Sequence, residues 1–372
     1  SKALELDSDS ADAISIAALL EQDRELQIRA WRRALDLDPD HATTYSRLAS
    51  RMWVDGELVE AERLIRRAID YVPMASVYHS DLAGILWDQG RREEALAAMQ
   101  LAITLDDRIF QHYRLMSDWQ YKAGEVDESL ITLFTAYLHD PDRGWITAQL
   151  ALRYMELGDL EKALAWINHT LERGRTELAN HVFAMWVFQE AGDMESALQQ
   201  AEFILQMHPV NPFALRELGA ADIEAGQAQA AIERWEKAWP MLADLQGPVD
   251  NWIAAHAAVY FAGHLVQAGE QERARQLLLN SLGALDEHPM QLQYAHTLLG
   301  NRQEALNVMR DAAEGRRDHI TALWYHQPEY DYLRDDPEFE ALTKTLDERN
   351  SAQREHIREM EKNGELPLPP RE

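Results

Sequence analysis

The sequence predicts an all-α fold, an α–α superhelix of about seven regular helix–turn–helix units followed by irregular helical repeats and a C-terminal helix. Three observations lead there. Gly56, Gly90, Gly124, Gly158, Gly192 and Gly226 follow one another at a single unvarying interval. Small residues keep the same step, first at Ala61, Ala95, Ser129, Ala163, Ala197 and Ala231, then at Ala68, Ala102, Ala136 and Thr170, with Ala238 further on. Helix formers dominate the composition, and runs of alternating β-branched residues are nearly absent.

Each series has a mechanical reason. The glycine falls in the turn between two helices, where a positive φ costs little without a Cβ. The small residues let neighbouring helices approach closely. Pro39, Pro73, Pro141 and Pro209, with Asp107 and Arg175 filling the gaps in phase, close each unit, because proline cannot continue a helical ladder. Between these marks the apolar residues keep helical spacing, as in Leu48, Met52, Leu58, Ala61, Leu64, Ile65 and Ala68. The units start near Ser8, Ala42, Ser76, Phe110, Gly144, Leu178 and Pro212, and the first is degenerate, with Gln22 where the turn glycine belongs.

Over residues 8 to 245 this pattern resembles the tetratricopeptide repeat (TPR), a helix–turn–helix with a period of about 34 residues. The resemblance implies a TPR solenoid and a role in binding other proteins. Some members of that family grip acidic C-terminal tails with Lys and Asn on successive first helices. Ser46, Ser50, Ser80 and Gly84 stand at the matching positions, so that clamp is absent.

The phase breaks after the seventh unit. The step from Gly226 to Gly269 overruns the regular interval, and the surplus falls between Trp239 and Pro248, which predicts a longer connection or an extended helix near 239 to 252. The step from Gly269 to Gly300 then falls short of that interval, so hairpins resume in compressed form. The expected organisation is a regular array over 1–245, divergent helical repeats over 246–316, and a capping segment, charged helix and tail over 317–372. Asp336 before Pro337 reads as an N-cap. Tyr332, Leu333, Phe339 and Leu342 would cover the open end of the array, and a charged helix from about Glu338 to Lys362 would end at Asn363-Gly364, ahead of an extended tail through Leu366-Pro-Leu-Pro-Pro370. The phrase from Tyr332 to Leu342, with that helix and the tail, is similar to the C-terminal repeat regions of bacterial multidomain signalling proteins. Those proteins also carry winged-helix or adenylate cyclase domains and TolB-like domains. The resemblance implies a regulatory or sensory repeat region.

Charge and chemistry narrow the function. With 64 acidic and 36 basic residues the net charge is −28, which disfavours nucleic acid and anionic membranes. No cysteine is present, so disulfides and thiolate metal sites are excluded. No long apolar run, phosphate loop, nucleophile elbow or zinc-binding helix motif occurs, and no catalytic residue, cofactor or metal is expected. His256 with His264, and His288 with His296, lie two helical turns apart, about 12 Å along an axis and too far to share an ion. The sequon Asn168-His-Thr170 falls on an expected helix. The start at Ser1 without an initiator Met suggests an excised soluble part of a longer product. A bacterial cytoplasmic or periplasmic home fits, the periplasmic side if a membrane span precedes it.

One aromatic series remains. Trp53, Trp87 and Tyr121 recur at the interval of the turn glycines, each just ahead of its glycine, and Met155, Gln189 and Ile223 continue the series. Trp145, Trp186 and Phe213 sit on first helices nearby, with Arg114 and Arg216 as anchors for a partner's backbone or acids. Either these rings line a groove for an extended segment or helix, or they pack between neighbouring helices. The expected function is a scaffold binding a protein or peptide. The alternative is a cell-envelope or polysaccharide-export scaffold that self-associates, as a homo-oligomer, through the charged helix.

Overall fold

The structure is a computed structural model, and it describes residues 10–173, 177–243, 247–249, 251–319, 325 and 328–367. Within these residues every regular element is helical. None of the helices is long and apolar enough to cross a membrane. The chain divides into two compact units, Ser1–Met116 and Ser117–Glu372.

The N-terminal unit holds α1 (Ala11–Ala18), α2 (Arg24–Leu37), α3 (Ala42–Val54), α4 (Leu58–Tyr71), α5 (Ser76–Asp88), α6 (Arg92–Leu105) and the start of α7 (Phe110–Lys122). Helices pair as α1–α2, α3–α4 and α5–α6, and each pair packs on the next. The turns repeat one hydrogen-bond pattern: the residue after the glycine donates to the carbonyl five back, as Glu57 does to Met52 at 2.8 Å and Arg91 to Leu86 at 3.0 Å. The glycine itself is left-handed, at φ 79° in Gly56. This is a helix stop that reuses orphan carbonyls, and a Cβ would strain it. Of the expected stripe, Leu48, Met52, Ala61, Leu64, Ile65 and Ala68 are buried and Leu58 is half-buried. The first pair departs from the pattern as its sequence does. The short α1 is followed by no left-handed residue before α2, because Gln22 stands where the glycine would. Asp23 opens α2 by accepting from Glu25 and Leu26 at 2.9 and 3.0 Å.

The C-terminal unit runs from the end of α7 through α8 (Val126–His139), α9 (Gly144–Glu156), α10 (Leu160–Glu172), α11 (Leu178–Glu190), α12 (Met194–Met207), α13 (Pro212–Glu224) and α14 (Ala228–Ala238). Six of the seven unit starts read from the sequence are the first residues of α3, α5, α7, α9, α11 and α13. Where the small-residue series departs from alanine, the hydroxyl finds a partner. Thr170 meets Thr147 at 2.7 Å and Ser129 meets Ser117 at 3.0 Å. Thr170 is thus buried inside the sequon.

The surplus residues of the phase break form a connection carrying one helical turn, α15 (Pro240–Ala243), while 244–246 and 250 lie outside the described residues. Then comes α16 (Trp252–Gln267), buried continuously from Ala254 to Leu265. A helix apolar on all sides needs neighbours on all sides, and α16 touches α13, α14, α17 (Gln271–Ser281) and α18 (Pro289–Leu299). After α19 (Arg302–Ala313), a short 3-10 segment at Pro328–Leu333 leads to α20 (Pro337–Lys362). Asp336 caps α20, accepting from Glu338 at 2.9 Å. Leu333 and Phe339 are buried, and Tyr332 and Leu342 pack against the same core. Gly364 ends the helix at φ 74°, and the tail from Leu368 onward lies outside the described residues.

Candidate functional site

Along the C-terminal unit the first helices touch in sequence, α9 with α11, α11 with α13, α13 with α16 and α16 with α18. An aromatic chain follows this face. Trp186 on α11 meets Phe213 on α13 edge-on, with ring centroids 5.2 Å apart. Phe213 meets Tyr260 on α16 at 5.9 Å, and Tyr260 meets Tyr294 on α18 at 6.5 Å. The Arg216 guanidinium lies 5.5 Å from the Tyr260 ring. Trp186, Phe213 and Arg216 are half-buried, while Tyr260 is buried and its hydroxyl is pushed above its ordinary pKa by that burial. The fold therefore brings three of the residues read from the sequence into one cluster, around a tyrosine that reading missed. Tyr260 and Tyr294 do stand one full repeat interval apart, which is the signal that could have found them.

Beside this cluster lie buried groups that shape it without facing solvent. His264 accepts from the Trp235 indole at 2.8 Å. Burial first, then Arg216, bring its pKa down to about 3, so the ring is neutral. Glu217 is buried on α13, and that burial raises its pKa.

Tyr121 occupies a second stretch of the same face and has different company. Arg153, from α9, stacks on its ring at 3.9 Å and bonds through Nε to Ser129 at 2.8 Å. Burial depresses the Arg153 pKa, while Tyr121, Asp118 and Glu156 act against that shift. His319 meets the Tyr121 ring edge-on at 5.4 Å and contacts Glu156 at 3.2 Å. Arg349 of α20 reaches His319 Nδ1 at 2.8 Å. This stretch is a buried charge network closed from above by the C-terminal segment. Nothing in the repeat spacing announces it, since the column that holds Arg153 also holds Arg51 beside Ile85, Trp119 and Val187.

The remaining residues of the series are placed as follows. Trp53 fills the space over Gly84, where an added Cβ would come within 2.2 Å of its ring, and its indole donates to Asp88 at 2.5 Å. That approach explains the glycine at this first-helix position. Trp87 is half-buried, with the Arg92 guanidinium 5.4 Å from its ring. Arg114 donates to Gln111 at 3.1 Å, and Trp145 is half-buried on α9.

The histidines pair differently from their sequence spacing. The His256 and His288 rings come within 4.9 Å, with Trp252 stacked on His288 at 5.3 Å. His256 directs Nδ1 at the Trp252 carbonyl at 2.8 Å. Among the described residues one group, Asp127, Glu128 and His356, brings three potential ligand atoms within 4.8 Å of one another. It lies on the surface, and His356 is already bonded to Asp127 at 2.8 Å.

Comparison with known proteins bears on the fold. A model of the tetratricopeptide repeat matches residues 78–108, from the first turn of α5 to just past α6. A tetratricopeptide repeat protein from Parabacteroides merdae is 15% identical, with a TM-score of 0.54 over 68% of this chain and 98% of that one. The PilF protein of Pseudomonas aeruginosa is 16% identical, with a TM-score of 0.45 over 54% and 92%. A human IFIT1 dimer solved with m7Gppp-AAAA is 15% identical, with a TM-score of 0.47 over 95% and 90%. No curated protein matches the chain in sequence.

Proposed function

We propose that the chain, whose fold is that of a tetratricopeptide-repeat solenoid, is a protein-interaction scaffold that holds its partner at Trp186, Phe213 and Arg216. The observation that carries this reading is the half-buried aromatic pair beside a guanidinium on consecutive first helices. Rings in partial exposure offer apolar area at low conformational cost, and an arginine adds a directional donor for a backbone carbonyl or carboxylate. A peptide or helix with an apolar side chain next to an acid fits that chemistry. Trp145 on α9 is a further contact of the same proposal, and Trp87, in the N-terminal unit, is proposed as a contact by itself. The C-terminal phrase 332–342 supports placing this scaffold in the regulatory region of a bacterial signalling protein. α20 turns Phe339, Leu346 and Ile357 inward, so self-association through it would rest on its charged outer face.

The test uses the chain as bait, with its interactors taken from the source cells. Trp186→Ala is expected to weaken capture about 30-fold, the scale of an interface hot spot, with helicity unchanged by circular dichroism. Trp87→Ala, run alongside, tests the separate contact proposed on the N-terminal unit. Capture unaffected by Trp186→Ala, Arg216→Ala and their combination would remove the reading.

A further inference from the structure

The C-terminal helix is bound to its own unit in an unusual way. α20 begins on α19, where Asp336 pairs with Arg302 at 3.0 Å and Glu338 pairs with Arg310. From Arg349 onward it lies on the turns of two earlier hairpins, α7–α8 and α9–α10. Its partners there are helix ends and polar side chains rather than an apolar core. Gln353 donates to the Gly124 carbonyl at 2.8 Å and accepts from the Val126 and Asp127 amides at 2.8 and 3.2 Å. The helix it caps lacks a cap of its own, since Glu125 makes no side-chain bond at the start of α8. The orphan amides of one helix are thus satisfied by a residue from the far end of the chain.

The same logic repeats one hairpin later. The Arg349 guanidinium sits against Gly124 and that of Arg354 against Gly158, where an added Cβ would meet them at 2.7 and 2.9 Å. Both guanidiniums thus lie over the glycine turns that join first to second helices. Glu361 accepts from Tyr154 at 2.7 Å and from Lys162 at 2.6 Å. At Gly56, Gly90, Gly192, Gly226 and Gly269 the same built Cβ meets nothing within 4 Å.

This docking is polar and incompletely satisfied. Between Arg349 and Lys362 only Asn350 and Ile357 are buried, and Arg349 Nε, Asn350 Oδ1 and Arg354 Nε are shielded from solvent without a hydrogen-bond partner. Contacts of this kind exchange with water at small net cost, unlike an apolar core. We propose that α20 is a releasable strap, and that the turn edge it covers is a helix-binding surface. Its grammar is an arginine, a glutamine one helical turn on and an arginine directly after it. Seated, α20 withholds this edge and the Tyr121–Arg153–Glu156 stretch; released, it opens both to a partner helix of the same pattern. The proposal stands apart from the Trp186 cluster.

The probe is a fluorescent peptide with the sequence of residues 337–364, titrated by anisotropy into the full chain. The full chain carrying Gln353→Ala with Glu361→Ala is expected to take the peptide at least tenfold more tightly than the unaltered chain. A peptide with its own glutamine replaced by alanine should lose that gain. Because the chain has no cysteine, Asp127→Cys with His356→Cys, bridged by a short bismaleimide, pins the strap without unfolding it. Bridging should abolish peptide uptake relative to the same variant left unreacted. Equal uptake by altered and unaltered chains, including none by either, overturns the proposal. So does amide exchange in 349–362 of the unaltered chain as slow as that in α9, because a strap that never lifts regulates nothing.

Discussion

Tyr121 and Trp186 both sit on first helices of the C-terminal unit, and their surroundings are opposite. Tyr121 is stacked under Arg153 and sealed by His319 and α20. Trp186 meets neighbouring rings and keeps part of its surface in solvent. A repeat lays down the same backbone at each step, but what lies over it is decided by whichever distant segment returns. The covered stretch recruits charge and the open stretch recruits aromatic area. Burying ions demands partners, whereas a half-exposed ring needs none.

The largest effect expected from this difference is on stability. Glu156→Ala would leave Arg153, Arg349 and His319 around an empty position in a buried network. Unfolding by urea should show a loss of about 3–5 kcal/mol. Trp186→Ala, on the open stretch, should cost far less than that while removing partner capture. If the two variants proved equally destabilising, the contrast between the stretches would be wrong.

Removing the foreign cap comes next. Gln353→Ala strips the Val126 and Asp127 amides of their acceptor and should cost about 1–3 kcal/mol of local protection. Hydrogen exchange would read it as faster opening of the first turn of α8 and of the distal half of α20, with α13 and α16 unchanged. Uniform loss across the unit would mean the strap is part of one cooperative core.

The smallest effect is a pH dependence. His356 is bonded to Asp127, which holds its pKa above the ordinary value, and Asp127, Glu128 and Glu359 all act in that direction. A group with a raised folded pKa stabilises fully below its unfolded value of 6.5, and that stabilisation fades as pH rises through the folded value. The pair is largely exposed, so the effect should stay under about 1 kcal/mol. Amide protection in α20, measured relative to the intrinsic base-catalysed exchange rate, should therefore fall between mildly acidic and alkaline pH, and His356→Gln should flatten the change.

Much of this molecule was legible from residue spacing. Six unit starts, the Asp336 cap, the end of α20 at Asn363-Gly364 and the degenerate first pair all follow from local rules, because turns and caps are fixed by the residues that form them. The clustering of Trp186, Phe213 and Arg216 was legible only as a set of candidates on first helices. Tyr260 was marked only by its interval to Tyr294, and the His256–His288 pair needed the path of α16, whose displaced phase hid it.

The sequence by itself determined the hairpin, its period and the order of units, since glycine, alanine and proline act within a few residues of where they stand. Tertiary structure alone decided which first-helix side chains are sealed and which stay open. That choice depends on where α20 lands, and its bonds are made to Gly124, Val126 and Asp127, far back along the chain. The backbone groups it recognises look the same at every turn of the repeat, so no residue type marks the two turns it selects.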